Sequence, residues 1–494
     1  MAVLIPVVYH YQLRFTAAHY ISELKAKGEP MDLAQVTPPQ VPLEQNAAPL
    51  IMSALTNLEG KYNSISETNP PPMMLAVSPG KAMVEWNQPV IADFDWDSWP
   101  ESNNVVTNTW EDLGKELDAA KGDLQAFQCL TNHPLLDFNL DYGKAYSIQL
   151  RHLSRLGHAA RWLSASAIFH LHERQTAEAC EDTHLILAIV RGWTDERLKD
   201  SQSTRDAIAS IAAETTWEIL QDPAVSESDL ASLQQDWESI EFIDPARKAF
   251  LTERVVNVLS TEHYLQDPSD LWRGVSGDRD TVLYQLCKLQ WQWFWAYADE
   301  KRMVQIYQIL ADAMRMAETN GSYGSAQSFV RTNADQLGFD WPFPQEETFR
   351  MDIDPLDVHC LMSEDAFDSF SLLRRAFIFE NARNMVIAAI ALKRYELQHH
   401  EFPPTLDELI PAFLQTIPRD YMNGQALQYK RNSDGTFLLY SVGENGIDDG
   451  GKPSTHEWWE FYWFAHDFDL VWPQPATSEE IQNFYEHPPK EGGS

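Results

Sequence analysis

Residues 388–451 read AAIALKRYELQHHEFPPTLDELIPAFLQTIPRDYMNGQALQYKRNSDGTFLLYSVGENGIDDGG, and no other stretch of the 494-residue chain carries so ordered a run of local signals. The overlapping run 385–392 (MVIAAIAL) is apolar on every side of a helix, which predicts a helix wrapped by other structure. Pro403 and Pro404 end that helix, because proline lacks the next amide and pushes the residue before it out of helical geometry. Thr405 followed by Glu408 has the form of a capping box, and Leu406, Leu409, Ile410 and Phe413 supply an apolar face for a short helix. Asn423-Gly424 predicts a tight turn, 427–430 a strand, Ser433-Asp434-Gly435 a hairpin turn and 437–442 the partner strand. Residues 443–451 hold too much glycine for regular structure and predict a loop.

Ahead of this stretch the periodicity is helical. Ser363, with Glu364 and Asp365 in the next turn, reads as the start of a helix reaching His400. Residues 320–355 are irregular and rich in Gly, Pro and Asp, as a boundary would be. Further upstream, 109–131 place Trp110, Leu113, Leu117, Ala120, Leu124 and Phe127 on one face. Residues 146–173 and 176–191 predict a helical hairpin with Thr176 as N-cap and Gly192 as closing residue. Its turn, LHERQTAEACED, resembles the inter-helix turn of a tetratricopeptide-type repeat, with Ala179 at the small packing position. The pattern does not recur at a period of about 34 residues, so no repeat array follows. Helices are expected again at 203–220, 226–241, 244–259, 280–297 and 300–319, and near the start at 11–27 and 47–58. The opening run 3–9 (VLIPVVY) is too short to cross a bilayer, which takes about 20 residues. It reads as a buried first strand or as the trailing end of a membrane anchor that this chain lacks.

A length of 494 residues exceeds one ordinary core and predicts two or three domains. Hydrophobic residues at 44% are ample for packed cores. The net charge of −36 repels phosphate backbones and argues against nucleic-acid binding. Cys129, Cys180, Cys287 and Cys360 lie far apart without a CxxC pair, which excludes a disulfide-dense scaffold and speaks against zinc. No GxSxG, Walker A or strand-linked GxGxxG occurs, so nucleophile-elbow, P-loop and dinucleotide readings lack support.

The order Tyr395, Phe402-Pro403, Asp420, Gly424, Tyr429, then Ser441, Gly443, Asn445, Gly446 and Gly450 resembles the globular domain of the type II secretion major pseudopilins. The resemblance covers about 80 residues. It departs at Tyr421, where the family has proline, and at Asn445, where it often has aspartate. The helical region ahead, from NHPLLDFNLDYGKAY onward, is similar to uncharacterised bacterial envelope proteins that place a helical domain between an N-terminal anchor and such a unit. The resemblance implies a calcium site on the loop, with the Val442 carbonyl, Asn445 and Asp469 as ligands and Asp448 and Asp449 as local substitutes. The chemistry is reasonable, since calcium takes six to eight oxygens on flexible loops. Between Glu444 and Asp469 there are seven acidic residues against one lysine, Lys452. The inserted stretch STHEWWEFYWFAHDF separates the two halves of the site more than usual.

Other chemistry is weaker. His170 and His172 point about 200° apart on a helix and do not share a metal. Asp93, Asp95 and Asp97, interleaved with Phe94, Trp96 and Trp99, have the composition of a sugar-binding or hydrolytic cleft and equally that of an edge strand. The run Trp458, Trp459, Phe461, Tyr462, Trp463 is a partner surface if exposed and a packing element if buried. Together these readings predict a mainly α protein: an irregular helical-hairpin domain followed by a small C-terminal α+β, pseudopilin-like domain. The expected division is 1–80 helices and linker, 81–360 helical domain, 361–480 pseudopilin-like domain and 481–494 tail. The favoured role is a non-catalytic structural or adaptor protein, extracytoplasmic and membrane-anchored in the bacterial cell envelope, with a protein partner and calcium. The rival is an extracytoplasmic hydrolase with its cleft around residues 93–99; a cytoplasmic helical adaptor is a third reading.

Overall fold

The apolar opening does not form the strand that was one of its two readings. Helix α1 (Leu4–Ala26) runs through it without a break, because Pro6 falls in the first turn, where backbone amides have no intrahelical partner to lose. Gly28, at φ +86°, turns the chain away after it. The computed structural model describes residues 4–60, 74–94, 105–266, 286, 288–337, 362–363, 366, 369–453 and 468–486. Among the described residues no helix is long and apolar enough to cross a membrane.

After α2 (Ala48–Gly60) come four short strands, β1 (Leu75–Ser78), β2 (Lys81–Met83), β3 (Ile91–Phe94) and β4 (Val105–Asn108). Helix α3 (Trp110–Ala126) begins where Thr109 accepts the Asp112 amide, and its expected apolar face is buried. The hairpin is α4 (His152–His172) and α5 (Thr176–Gly192). Its caps differ from the expectation. Gln175 is the N-cap, while Thr176 lies inside the first turn, buried, with its hydroxyl donating to Asp222. Gly192 stays helical; a Cβ there would sit 2.6 Å from the Pro134 carbonyl oxygen, so close backbone approach is what requires glycine.

Next follow α6 (Lys199–Leu220), α7 (Glu227–Glu238) and α8 (Ile243–Gln266). A π-helical turn, Trp291–Trp295, leads directly into α9 (Ala296–Asn320), so the two helices expected at 280–297 and 300–319 join rather than break at Tyr297. Helix α10 (Tyr323–Gln336) follows. Ser363 is helical and buried and gives its amide to Asp299 rather than capping, and the long helix α11 (Phe370–His399) begins after a separate N-cap, Ser369. Its 30 residues span about 45 Å. Every residue from Met385 to Leu392 is buried, because α6, α7 and α8 pack around that helix.

The short amphipathic helix expected after Pro404 is one 3-10 turn, Leu406–Leu409, and Thr405 makes no side-chain cap. Pro411 blocks its continuation, and Ile410 faces outward while Leu406, Leu409 and Phe413 are buried. Strands β5 (Gln428–Arg431), β6 (Phe437–Ser441) and β7 (Leu470–Val471) form an antiparallel sheet in that order. The chain then leaves it for β8 (Gln474–Pro475), which pairs in parallel with β2, and α12 (Ser478–Glu486) packs Phe484 against Leu75, Val77 and Met83. The protein is mainly helical with small sheets.

Candidate functional site

The segment after Pro418 is shaped by one side chain. Asp420 is completely buried, and its carboxylate accepts from the Met422 amide and the Ser441 hydroxyl on Oδ1, both at 2.9 Å. Its Oδ2 accepts from the Val442 amide at 2.9 Å. The Ser441 oxygen in turn accepts from the Gly443 amide at 3.2 Å. Gly424, at φ +80°, closes the turn by donating its amide to the Asp420 carbonyl at 2.8 Å. The two sequence blocks, 420–429 and 441–450, therefore meet at one carboxylate. The same unit is held to the end of α11 by Tyr429, whose hydroxyl donates to the Pro403 carbonyl at 2.7 Å, and by Phe402 packed edge-on against Phe437. Asn384 on α11 donates to the Arg419 carbonyl at 2.8 Å.

Beyond Ser441 the loop bends at Gly443, Gly446, Gly450 and Gly451, all at positive φ, where a Cβ would be strained. Asp469, one residue before β7, is buried and fastens the far side of the loop. Its Oδ2 accepts from the Gly451 amide at 2.7 Å and the Lys452 amide at 3.3 Å, and its Oδ1 from the Asp449 amide at 3.3 Å. Asp448 Oδ1 accepts from the Tyr440 hydroxyl and the Gly450 amide, each at 2.9 Å. Arg374 of α11 holds Glu444 through two bonds of 2.6 and 2.7 Å.

Burial raises the Asp469 carboxyl above the ordinary carboxylate range against the pull of the loop amides, and the Asp448 charge adds to the rise. Asp420 is raised in the same way, with Asp469 as the like charge. The Tyr440 hydroxyl is pushed up to about 12, by burial first and then by its bond to Asp448. Asp448 is thus the charged neighbour of Asp469, and Asp469 that of Asp420, whereas Glu444 has Arg374.

Of the five residues expected to bind calcium, Asp469 meets the Asp449 backbone amide and feels the Asp448 charge. Asn445 stands at its exposed tip with Oδ1 accepting from the Ile447 amide at 2.9 Å, and Val442 lies at its base. The donors are hard oxygens, which suits calcium chemistry. Among the described residues no group of three or more His, Cys, Asp or Glu side chains is arranged to hold a metal ion. Trp458, Trp459, Phe461, Tyr462 and Trp463 lie outside the described residues, as do Asp95, Trp96, Asp97 and Trp99. The backbone of Asp93 and Phe94 is in β3, paired with Val106 and Val105. Sequence reasoning missed the part played by Tyr440 and the central place of Asp420; β6 (FLLYS) has no apolar–polar alternation that would single out Tyr440. No family model, curated protein or solved structure matches the chain.

Proposed function

We propose that the chain is a non-catalytic structural or adaptor protein of the bacterial cell envelope, working in an assembly of the type II secretion or pilus-like kind. Its C-terminal unit is a pseudopilin-like module whose loop 443–451 takes calcium through Asp448, Asp449, Asp469, Asn445 and the Val442 carbonyl. The observation that carries this reading is the Asp420 carboxylate. It joins Ser441 and Val442 to Met422, so the two separated sequence blocks of the resemblance form one folded feature. Clustered carboxylates whose nearest charges are acidic gain from a divalent cation, and millimolar-range sites of this type suit an extracytoplasmic setting. Pro453 and Asp469, described residues on either side of the stretch that holds Trp458 to Trp463, form a bridge beside the loop.

Calorimetric titration of the full chain with calcium tests the metal. Heat should be released, and the Tm should rise by roughly 2–5 °C at about a hundredfold excess over Kd, reversed by chelator. Asp469→Asn and Asp448→Asn should each weaken binding by about tenfold or more. Absence of heat together with a Tm indifferent to chelator would remove calcium from the reading. The assembly role is tested by cross-linked pull-down from the native host, where recovery of envelope assembly components is expected and recovery of cytoplasmic partners alone would contradict it.

A further inference from the structure

A cavity of about 440 Å³ lies between α1, the turn after it, α9 and α10, a volume typical of small-molecule sites. No residue of the loop 443–451 lines it. Its two carboxylates are already satisfied. Glu29 accepts from Arg315 through both oxygens, at 2.7 and 2.9 Å, and from the wholly buried Arg254 at 3.3 Å. Asp312 accepts from Arg315 at 2.6 Å and from the Gln308 amide at 3.0 and 3.1 Å. Two acids thus face two guanidinium groups, and this side of the cavity asks for no cation.

The other polar groups of the lining are uncommitted. The Tyr20 hydroxyl on α1, the Gln305 carboxamide on α9 and the Gln336 carboxamide on α10 make no hydrogen bond among the described residues. Asn333 spends its amide on the Phe329 carbonyl at 2.8 Å and keeps its side-chain oxygen free. Burial raises the Tyr20 pKa, so the hydroxyl stays a neutral donor and acceptor. Leu24, Ile309, Phe329 and Leu337 supply the apolar part of the wall. We propose that this cavity binds a small saccharide. A sugar ring carries hydroxyls around its edge, each both donor and acceptor, and here a hydroxyl and carboxamides with the same double capacity approach from three helices. Its C–H face suits the Phe329 ring and the aliphatic side chains. A nucleobase is a poorer occupant, because its donors and acceptors lie along edges in one plane, and a nucleotide's phosphates are repelled by a chain of net charge −36.

The inference uses none of the calcium-loop residues, and its test is run in chelator so that the two readings fail separately. The full chain is titrated calorimetrically with glucose, N-acetylglucosamine and maltose, and with adenosine for comparison. Saturable heat is expected with at least one of the sugars, and weaker binding or none with adenosine. Tyr20→Phe, Gln305→Ala and Gln336→Ala should each weaken sugar binding by about threefold or more. Circular dichroism and Tm should stay unchanged, since none of the three groups bonds within the fold. Gln149→Ala, at an exposed site elsewhere, should bind as the wild type does. Absence of heat with all three sugars overturns the proposal. So does tighter binding of adenosine than of any sugar, or sugar binding that all three variants leave unaltered.

Discussion

Glu300, in the first turns of α9, is buried, and its carboxyl is pushed up to about 7, first by loss of water and then by Glu262, with Arg14 opposing. The folded protein thus keeps a proton that the unfolded chain releases at the ordinary carboxylate pKa of 4.5. A raised carboxyl pKa lowers stability as pH climbs from about 4.5 to about 7, and the loss is complete above that range. Glu300→Gln removes this slope. Wild type and variant should be about equally stable at pH 4, and the variant should be more stable at pH 8 by on the order of 2–3 kcal/mol, read from urea unfolding at the two pH values. Equal stabilities at pH 8 would show that Glu300 is charged without cost. Nothing in the sequence marked this residue, because burial of an acid depends on which helices close over it, and acids are read as surface by default. Asp420 was legible, but only as a motif position; that it is buried under three donors is a tertiary fact.

At the scale of elements, apolar periodicity read well and end signals read poorly. The faces of α3 and of the α4–α5 hairpin follow from spacing alone, since burial of a stripe needs only the stripe and a partner. Caps are decided by what lies across the gap. Thr176 spends its hydroxyl on Asp222 rather than on its own helix, and Gly192 is needed by Pro134 rather than by a left-handed turn. Gly192→Ala should therefore destabilise the protein by about 1–3 kcal/mol, since the carbonyl it would strike is backbone and gives little. Gly157, inside α4 with open space at its Cβ position, should behave oppositely, and Gly157→Ala should stabilise by about 0.5–1 kcal/mol. Urea midpoints of the two variants decide the matter, and the same sign in both would defeat the packing account. The loop 443–451 was legible because glycine count alone sets it, whereas the short helix after Pro404 was overread because Pro411 outweighs a capping box.

Across the whole molecule, the residues that join the C-terminal sheet to the helices are the ones no local pattern announces. One continuous apolar cluster runs from Leu24 on α1 to Trp472 after β7. Trp217 of α6, wholly buried, donates its indole N–H to the Pro473 carbonyl at 2.9 Å, and the adjacent Glu218 carboxylate accepts the Glu85 amide at 3.0 Å. The same α6 packs on α11, so the sheet, the early strands and the central helices share one helix as a common support. Such sharing couples their unfolding, because exposing any one surface also strips α6. Scanning calorimetry of the full chain in chelator should accordingly give a single transition with calorimetric and van't Hoff enthalpies in agreement. Asp420→Ala, which leaves the Ser441 hydroxyl and two amides without their acceptor, should move that whole transition down rather than split off a shoulder. Two resolved transitions, with only the lower one moved by Asp420→Ala, would instead make 361–480 a thermodynamic unit of its own.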